Sequence, residues 1–130
     1  MASHILLLEG VEKSFVNTRG KTLKALSRID LCIEQNEFVC IVGPSGCGKS
    51  TLLRMVAGLE SCETGTIMYN DQRITSPHKE IGMVFQEYSL LPWRSVASNV
   101  ALGPEFARKS NAECARIAHE YLQLVGLTDF

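Results

Sequence analysis

The sequence lacks the features that mark membrane-spanning, secreted and nucleic-acid-binding proteins. Its longest apolar runs, such as residues 5–8 and 38–42, are far shorter than the ~20 residues that a transmembrane helix requires. No basic and then apolar segment opens the chain, so no signal peptide is predicted. Excess charge is also lacking, since 13 Lys and Arg stand against 14 Asp and Glu. Any anion site must therefore be local, and any role at a membrane would be that of a peripheral subunit.

Paired cysteines are lacking as well. The five cysteines form no C-x-x-C pair, and their odd number argues against a disulfide framework or a zinc site. A reducing cytoplasm fits this pattern. What the chain does have is 130 residues with 45% hydrophobic content, which predicts one packed domain.

The apolar pattern predicts strands before and after a glycine-rich loop. Residues 5–15 and 29–34 have the pattern of half-buried strands. Residues 38–42 are apolar throughout, as is typical of a parallel strand that is covered on both faces. Further strands are predicted at residues 66–69 and 82–85.

Helices are predicted where apolar residues recur at helical spacing. One covers residues 49–58, and a short one begins at Ser95. A longer helix follows Ser110, because Ser110 and Glu113 have the S-x-x-E spacing of a capping box. Its apolar stripe is predicted to consist of Ile117, Ala118, Tyr121, Leu122 and Val125.

The strongest functional signal is a glycine-rich loop between the strand at residues 38–42 and the helix that follows. It matches the phosphate-binding pattern G-x-x-x-x-G-K-[ST] and predicts a nucleotide site. Backbone N–H groups and the amino end of the helix would attract the phosphates, and Lys49 would neutralise the β- and γ-phosphate oxygens. Ser50 would hold Mg²⁺, and Thr51 could reach the α-phosphate. The nucleotide-binding residues predicted here are Gly43, Pro44, Ser45, Gly46, Cys47, Gly48, Lys49, Ser50 and Thr51.

Together with the AGLE sequence at residues 57–60, this loop resembles that of the ATP-binding cassette (ABC) family, and the match extends over nearly the whole chain. The resemblance implies an α/β fold: a P-loop NTPase (RecA-like) core with an antiparallel β subdomain. Residues 1–130 would be a partial cassette that ends at the start of the helical subdomain, with the carboxy-terminal half missing. The core strand at residues 38–42 would then lack its neighbours, so the isolated chain is expected to be marginally stable and prone to aggregate.

The resemblance also implies roles for two residues outside the loop. Phe15 occupies the place of the aromatic residue that stacks on adenine, and the less favoured alternative is a core residue at a strand end. The sequence IGMVFQ at residues 81–86 is similar to the strand that leads into the glutamine loop of the family. Gln86 would approach Mg²⁺ and the attacking water and so share the catalytic role with Lys49. Residues 86–93 would face a membrane-embedded permease.

Residues 90–96 and 99–103 are similar to the nitrate, sulfonate and taurine importer branch. This similarity implies the ATP-binding subunit of an importer, which couples ATP binding and hydrolysis to solute uptake. The subunit would be cytoplasmic, peripheral on the inner face of the cell membrane, and paired with a second cassette if complete. Trp93 and Arg94 could equally serve a generic permease contact.

The chain departs from the family pattern by lacking a signature motif, a second acidic strand and a switch histidine. Glu113, Glu120 and His119 lie in a non-matching context and are assigned to the surface of the last helix. ATP turnover by this chain alone is therefore not expected. A non-catalytic nucleotide-binding module is the alternative. A soluble GTPase or small-molecule kinase is disfavoured because no N-K-x-D motif occurs and the glutamine-loop stretch would have no role there. A DNA-repair or translation cassette is disfavoured by the importer-like stretch around Trp93 and by the lack of a basic patch.

Overall fold

The computed structural model describes residues 4–128, which form two compact units that meet in sequence between Val84 and Phe85. The first unit contains four strands and one helix: β1 (His4–Val16), β2 (Thr22–Glu34), α1 (Lys49–Val56), β3 (Thr64–Tyr69) and β4 (Gln72–Arg73). The second unit contains three helices: α2 (Val96–Val100), α3 (Leu102–Phe106) and α4 (Asn111–Leu124).

The strands of the first unit form one antiparallel sheet in the order β2-β1-β3-β4. The strands predicted at residues 5–15, 29–34 and 66–69 are confirmed, although β2 begins seven residues earlier than predicted. A short turn joins β3 to β4, where Asn70 and Asp71 have φ angles of 47° and 60°. Positive φ at both central residues suits a tight hairpin, and Asn and Asp tolerate it better than most residues.

Helix α1 packs against this sheet and confirms the helix predicted after the glycine-rich loop. At its carboxyl end, Gly58 has a φ of 71°, its N–H donates to the Met55 carbonyl, and the Leu59 N–H donates to the Arg54 carbonyl. This is the glycine-terminated cap that satisfies the last helical carbonyls. The core that the helix and sheet share consists of Leu6, Leu8, Val11, Leu26, Leu52, Met55 and Ile67.

Two predicted strands are wrong for this structure. Residues 38–42 and 82–85 form no strand, and they pair with none of the four strands described. Phe38 is 94% exposed, Val42 87% and Val84 98%. A parallel strand needs hydrogen-bonding neighbours and a cover on each face, and an apolar sequence alone supplies neither.

In the second unit, the capping box predicted at the start of α4 is confirmed. The Ser110 hydroxyl accepts from the Glu113 N–H, and the Glu113 carboxylate accepts from the Ser110 N–H. The Ser95 side chain likewise caps α2 by accepting from the Ser98 N–H. Within residues 4–128, no helix combines the length and the apolar content that crossing a membrane demands.

The predicted stripe of α4 is only partly right. Its buried face is formed by residues spaced four apart, and Tyr121 and Val125 are largely exposed, at 58% and 64%. A spacing of four keeps side chains on one side of a helix, whereas Tyr121 and Val125 lie to the side of that row. The residues that are buried are Cys114, Ala118 and Leu122.

Candidate functional site

The glycine-rich loop of residues 43–48 leads directly into α1. Gly46 and Gly48 have left-handed φ angles of 79° and 98°, and Cys47 between them does not. Such alternation turns successive backbone N–H groups toward one side and makes a concave anion site. The Cys47 N–H donates to the Pro44 carbonyl at 3.4 Å, and the Leu52 N–H donates to the Gly48 carbonyl at 2.9 Å. The loop is therefore a tight turn that passes without a break into the first turn of the helix.

The end of the loop lies against a β-bulge of β2. Lys13 of β1 pairs with Leu26, and Ser14 pairs with Lys24, so Ala25 is an extra residue in the ladder. A Cβ atom placed on Gly48 would lie 2.6 Å from the Ala25 carbonyl oxygen and 2.6 Å from a methyl carbon of Leu26. Because the Ala25 carbonyl is part of the backbone and cannot move away easily, and because the φ angle of Gly48 is 98°, only glycine fits at position 48. The bulge thus fixes where the loop sits on the sheet.

The Lys49 side chain folds back over the loop. Its ammonium group donates to the carbonyl oxygens of Gly43 and Pro44, both at 2.7 Å, and lies 3.6 Å from the Cys47 sulfur. An ammonium has three protons to donate, and sulfur is a weak acceptor. Two backbone carbonyls therefore hold the lysine in place, and a phosphate oxygen would be a much better third partner than the thiol.

The amino end of α1 has the polarity that an anion requires. Its first turn contains no acidic residue, and Gly48 provides no side-chain cap for the free N–H groups. These N–H groups carry the positive end of the helix dipole. Ser50 is exposed and Thr51 is half-buried, so both predicted hydroxyl ligands lie on this first turn. The structure brings together the whole predicted loop, residues 43–51, at one helix end.

Phe15 lies near the end of β1, in the same hairpin as the bulge. It pairs with Leu23, and the residue is 39% exposed. Lys13, two residues away on the same strand face, pairs with the Leu26 that touches Gly48. These contacts place the aromatic ring on the part of the sheet that carries the phosphate loop. Its role in adenine stacking stays a prediction.

Gln86 belongs to the second unit, where it is exposed in the loop before α2. Its approach to Mg²⁺ therefore stays a prediction. Tyr88 is 94% exposed and Trp93 78% exposed, so the loop of residues 86–93 presents aromatic side chains to solvent. Arg94, in contrast, is held within its own unit, since it donates to the Ser98 carbonyl and forms an ion pair with Glu105 at 2.8 Å.

Sequence reasoning missed the residue that organises the end of this loop. The Asn99 side chain donates to the carbonyls of Leu91, Arg94 and Ser95 and accepts from the Leu91 N–H at 2.8 Å. An amide can both donate and accept, which suits it to hold a turn of irregular backbone. In the sequence, the feature that could have indicated this role is a single asparagine within the short helix α2, whose other residues are small or apolar.

The acidic and histidine residues of α4 lie on its surface, as predicted. Glu113 belongs to the capping box, and hydrogen bonds from the Ser110 N–H and hydroxyl hold the pKa of its carboxyl below the usual value. Glu120 pairs with Arg116 one turn earlier, and His119 is exposed. The cysteines are free thiols, and residues 4–128 contain no cluster of three or more His, Cys, Asp or Glu that could hold a metal.

A glycine-rich loop that ends in a lysine at the amino end of a helix, packed on a β-sheet, defines a phosphate-binding P-loop domain. Comparison with protein-family models gives the particular family. The ABC transporter family model matches residues 26–130, and the chain belongs to this family.

Relatives of known name and structure agree. The chain is 46% identical over 125 residues to the nitrate import ATP-binding protein NrtD of Synechocystis sp., covering 96% of this chain and 47% of that protein. It is 43% identical over 127 residues to the bicarbonate transport ATP-binding protein CmpC of Synechococcus elongatus, covering 96% of this chain and 19% of that one. The chain thus spans about half of NrtD and much less of CmpC.

Among solved structures, the fold is similar to that of the ATP-binding cassette MJ0796, described as a dimer in a post-hydrolysis state bound to ADP and Pi. The TM-score is 0.80 at 29% identity, with 91% of this chain and 56% of that chain covered. The predicted resemblance to the ABC family and the predicted cassette fold are therefore confirmed.

Proposed function

We propose that residues 1–130 are the nucleotide-binding portion of an ABC importer subunit that couples ATP binding and hydrolysis to solute uptake. The observation that carries this proposal is the Lys49 ammonium, held over the glycine-rich loop by two backbone carbonyls at the uncapped end of α1. The names of the relatives, a nitrate import protein and a bicarbonate transport protein, support a small anion as the solute. The nitrate, sulfonate and taurine type of importer is the finer proposal.

The loop fits a nucleoside triphosphate in shape and charge. Gly46 has no side chain, and nothing lies within 4 Å of where its Cβ atom would be, so the backbone there is open to a close approach by the phosphates. Lys49 would neutralise the β- and γ-phosphates, and the N–H groups of the first turn of α1 would donate to their oxygens. Phe15 would stack on the adenine.

Mg²⁺ would be held by the Ser50 hydroxyl on the first turn of α1. Hard oxygen ligands of this kind suit Mg²⁺, which usually keeps several waters and binds phosphate oxygens as well. When bound, the ion would neutralise charge that develops on the phosphates. Ser50 is exposed, so its hydroxyl is accessible to such a complex.

We also propose that this chain is a partial cassette, consisting of the P-loop core and β subdomain and the start of the helical subdomain. Residues 38–42 and 82–85 have the composition of core strands but are unpaired among residues 4–128. They would pair with strands from the remainder of a cassette, which the longer relatives possess. The groups that activate water would lie there too, so these residues alone would bind ATP without turnover.

The proposed partners follow from the exposed surface of the second unit. Tyr88, Leu90 and Trp93 are 94%, 64% and 78% exposed, and an apolar and aromatic surface of this kind is typical of a protein contact. The loop of residues 86–93 would contact an integral-membrane permease on the inner face of the cell membrane. A second cassette would pair with this one, as in the dimer described for MJ0796.

Calorimetric titration of the chain with MgATP tests the proposal. The wild type should bind, and Lys49→Ala should reduce affinity at least about tenfold, because a charge-assisted contact to phosphate is lost. Lys79→Ala, which removes one exposed lysine of the same unit, is the matched control and should bind like the wild type. No heat from wild-type protein that is folded by circular dichroism would refute nucleotide binding.

The alternative function is a nucleotide-binding module without catalysis. The unpaired state of residues 38–42 favours it for this chain taken by itself. Phosphate release separates the two functions. Phosphate release above that of a complete cassette of the family alone, seen when this chain is added and lost with Lys49→Ala in this chain, would support the importer subunit. Binding of MgATP by the chain with no increase in phosphate release would support the module.

A further inference from the structure

Lys13 is a charged residue that the proposed function does not use, yet it is the most enclosed lysine of the ion pairs described. Its side chain is only 12% exposed. The ammonium group donates to the Glu60 carboxylate at 2.5 Å and to the Ser61 carbonyl at 2.7 Å. Hydrogen bonds of this kind to a carboxylate are among the stronger ones in proteins. These two hydrogen bonds hold the ammonium group in place.

The other side of the ammonium faces an aromatic ring. The Lys13 Nζ atom lies 5.2 Å from the centroid of the Phe15 ring, within the range of a cation–π interaction. Lys13 and Phe15 are two residues apart on β1 and so project from the same face of the sheet. One face of the ring is therefore covered by the ammonium, while 39% of the residue remains exposed.

Glu60 connects this pair to the phosphate loop. It lies four residues beyond Val56, the last residue of α1, and Lys49 is the first residue of the same helix. The hydrogen bond from Lys13 lowers the pKa of the Glu60 carboxyl, and the positive charges of Lys13 and Arg54 add to this effect. Glu60 is therefore ionised near neutral pH and can hold the lysine. One helix thus carries the phosphate-binding lysine at one end and the anchor of Lys13 just past the other.

We propose that Lys13 is a positioning residue for purine binding: anchored by Glu60, it covers one face of Phe15 and holds the ring ready to stack a nucleotide base on its other face. The proposal rests on the function proposed above and names a further residue of the same site. A ring that is fixed before binding loses less conformational freedom when the base arrives, and this raises affinity. Lys13 itself would contact neither base nor phosphate.

The test compares a ligand that has a base with one that has none. Affinities of the chain for MgATP and for magnesium tripolyphosphate are measured by calorimetry or by competition. Lys13→Met, which keeps the aliphatic stem and removes the charge, should weaken MgATP binding about 3- to 10-fold. Tripolyphosphate binding should change less than about twofold, because the phosphate loop is intact. Lys13→Arg keeps a cation over the ring and should retain most of the affinity for MgATP.

Lys24→Met is the matched control. Lys24 forms an ion pair with Glu12 at 3.2 Å in the same hairpin, and both project from the face opposite Phe15. Lys24→Met should leave the affinities for MgATP and for tripolyphosphate unchanged. A second check introduces Lys13→Met into the Phe15→Ala variant. It should cause no further loss of affinity for MgATP, because the lysine acts through the ring.

Three outcomes would overturn the proposal. Lys13→Met could weaken the binding of both ligands equally, or leave the affinity for MgATP unchanged. In the Phe15→Ala variant, it could reduce the affinity for MgATP as much as it does in the wild type. If Lys13→Met does not fold, Glu60→Gln replaces it, since loss of the anchor should give the same base-dependent weakening to a smaller extent. A folded wild type that binds neither ligand would refute the proposed function itself. Binding of both ligands by the wild type, with no base-dependent effect in any variant, would refute only the role of Lys13.

Discussion

Strand β1 and residues 38–42 have similar sequences but opposite environments. Both contain short runs of Leu, Ile, Val or Phe. In β1, Leu8 and Val11 are 1% and 0% exposed, because β2 pairs on one side, β3 on the other, and α1 packs on the sheet. In residues 38–42, Phe38 and Val42 are almost fully exposed. The comparison shows that an apolar run becomes a strand only where other strands complete its hydrogen bonds and other side chains cover it.

The largest expected effect concerns association of the isolated chain. Exposed apolar side chains and unpaired backbone in residues 38–42 provide a surface on which copies can pair. Replacing Phe38 with Asp should keep the chain monomeric at concentrations where the wild type associates, as measured by analytical ultracentrifugation. Leu8→Asp, the equivalent change in β1, should instead unfold the first unit. A wild type that is monomeric and melts cooperatively would contradict the expectation.

A smaller effect is expected on the free energy of unfolding, which should respond differently to the same substitution in β1 and in residues 38–42. Val11→Ala removes a fully buried side chain and should lower the free energy of unfolding by about 2 kcal/mol, from lost burial and the cavity left behind. Val42→Ala makes the same chemical change at an 87% exposed position and should stay within about 0.5 kcal/mol of the wild type. Urea unfolding followed by circular dichroism measures both. Equal losses would mean that residues 38–42 are buried in solution.

The smallest effect concerns the ion pair that ties β1 to the segment after α1. The pKa of Glu60 is lowered, mainly by the hydrogen bond from Lys13. Its folded-state pKa is therefore below the unfolded value of about 4.3, and the pair stabilises the fold above that pH. This contribution is lost as the pH falls through the folded-state pKa.

Glu60→Gln should therefore cost no more than the ~0–1 kcal/mol typical of partly exposed ion pairs at neutral pH. It should also flatten the decline in stability below about pH 4.3. Urea unfolding at a series of pH values compares the variant with the wild type. The two curves should run parallel between about pH 6 and pH 8, where the carboxyl does not titrate. A variant that declines as steeply as the wild type in acid would show that the pair contributes nothing.

Local sequence patterns predicted the parts of the molecule that are stabilised locally. The capping box between Ser110 and Glu113 and the glycine-rich loop before Lys49 are short motifs whose hydrogen bonds close within a few residues. Strand β1 was predicted from its apolar pattern, and the prediction is confirmed because its partner β2 follows it directly along the chain. In contrast, the strand at residues 38–42 was wrongly predicted, because the pattern does not reveal whether neighbours are present.

The sequence also could not reveal contacts between distant residues of the site. Lys13 and Glu60 are 47 residues apart, and the bulge at Ala25 meets Gly48 across a loop. Both contacts depend on the register of the hairpin, which several bulges shift. A shift of a single residue would have turned Lys13 to the other face of the sheet.

The sequence by itself determined the phosphate loop, the starts of α1, α2 and α4, and the family, because these depend on residue types at fixed short spacings. Tertiary structure decided which apolar runs became strands, where the bulge set the loop on the sheet, and which cation came to lie over Phe15. Burial and pairing are properties of neighbours, and residues far apart in sequence become neighbours only when the chain folds.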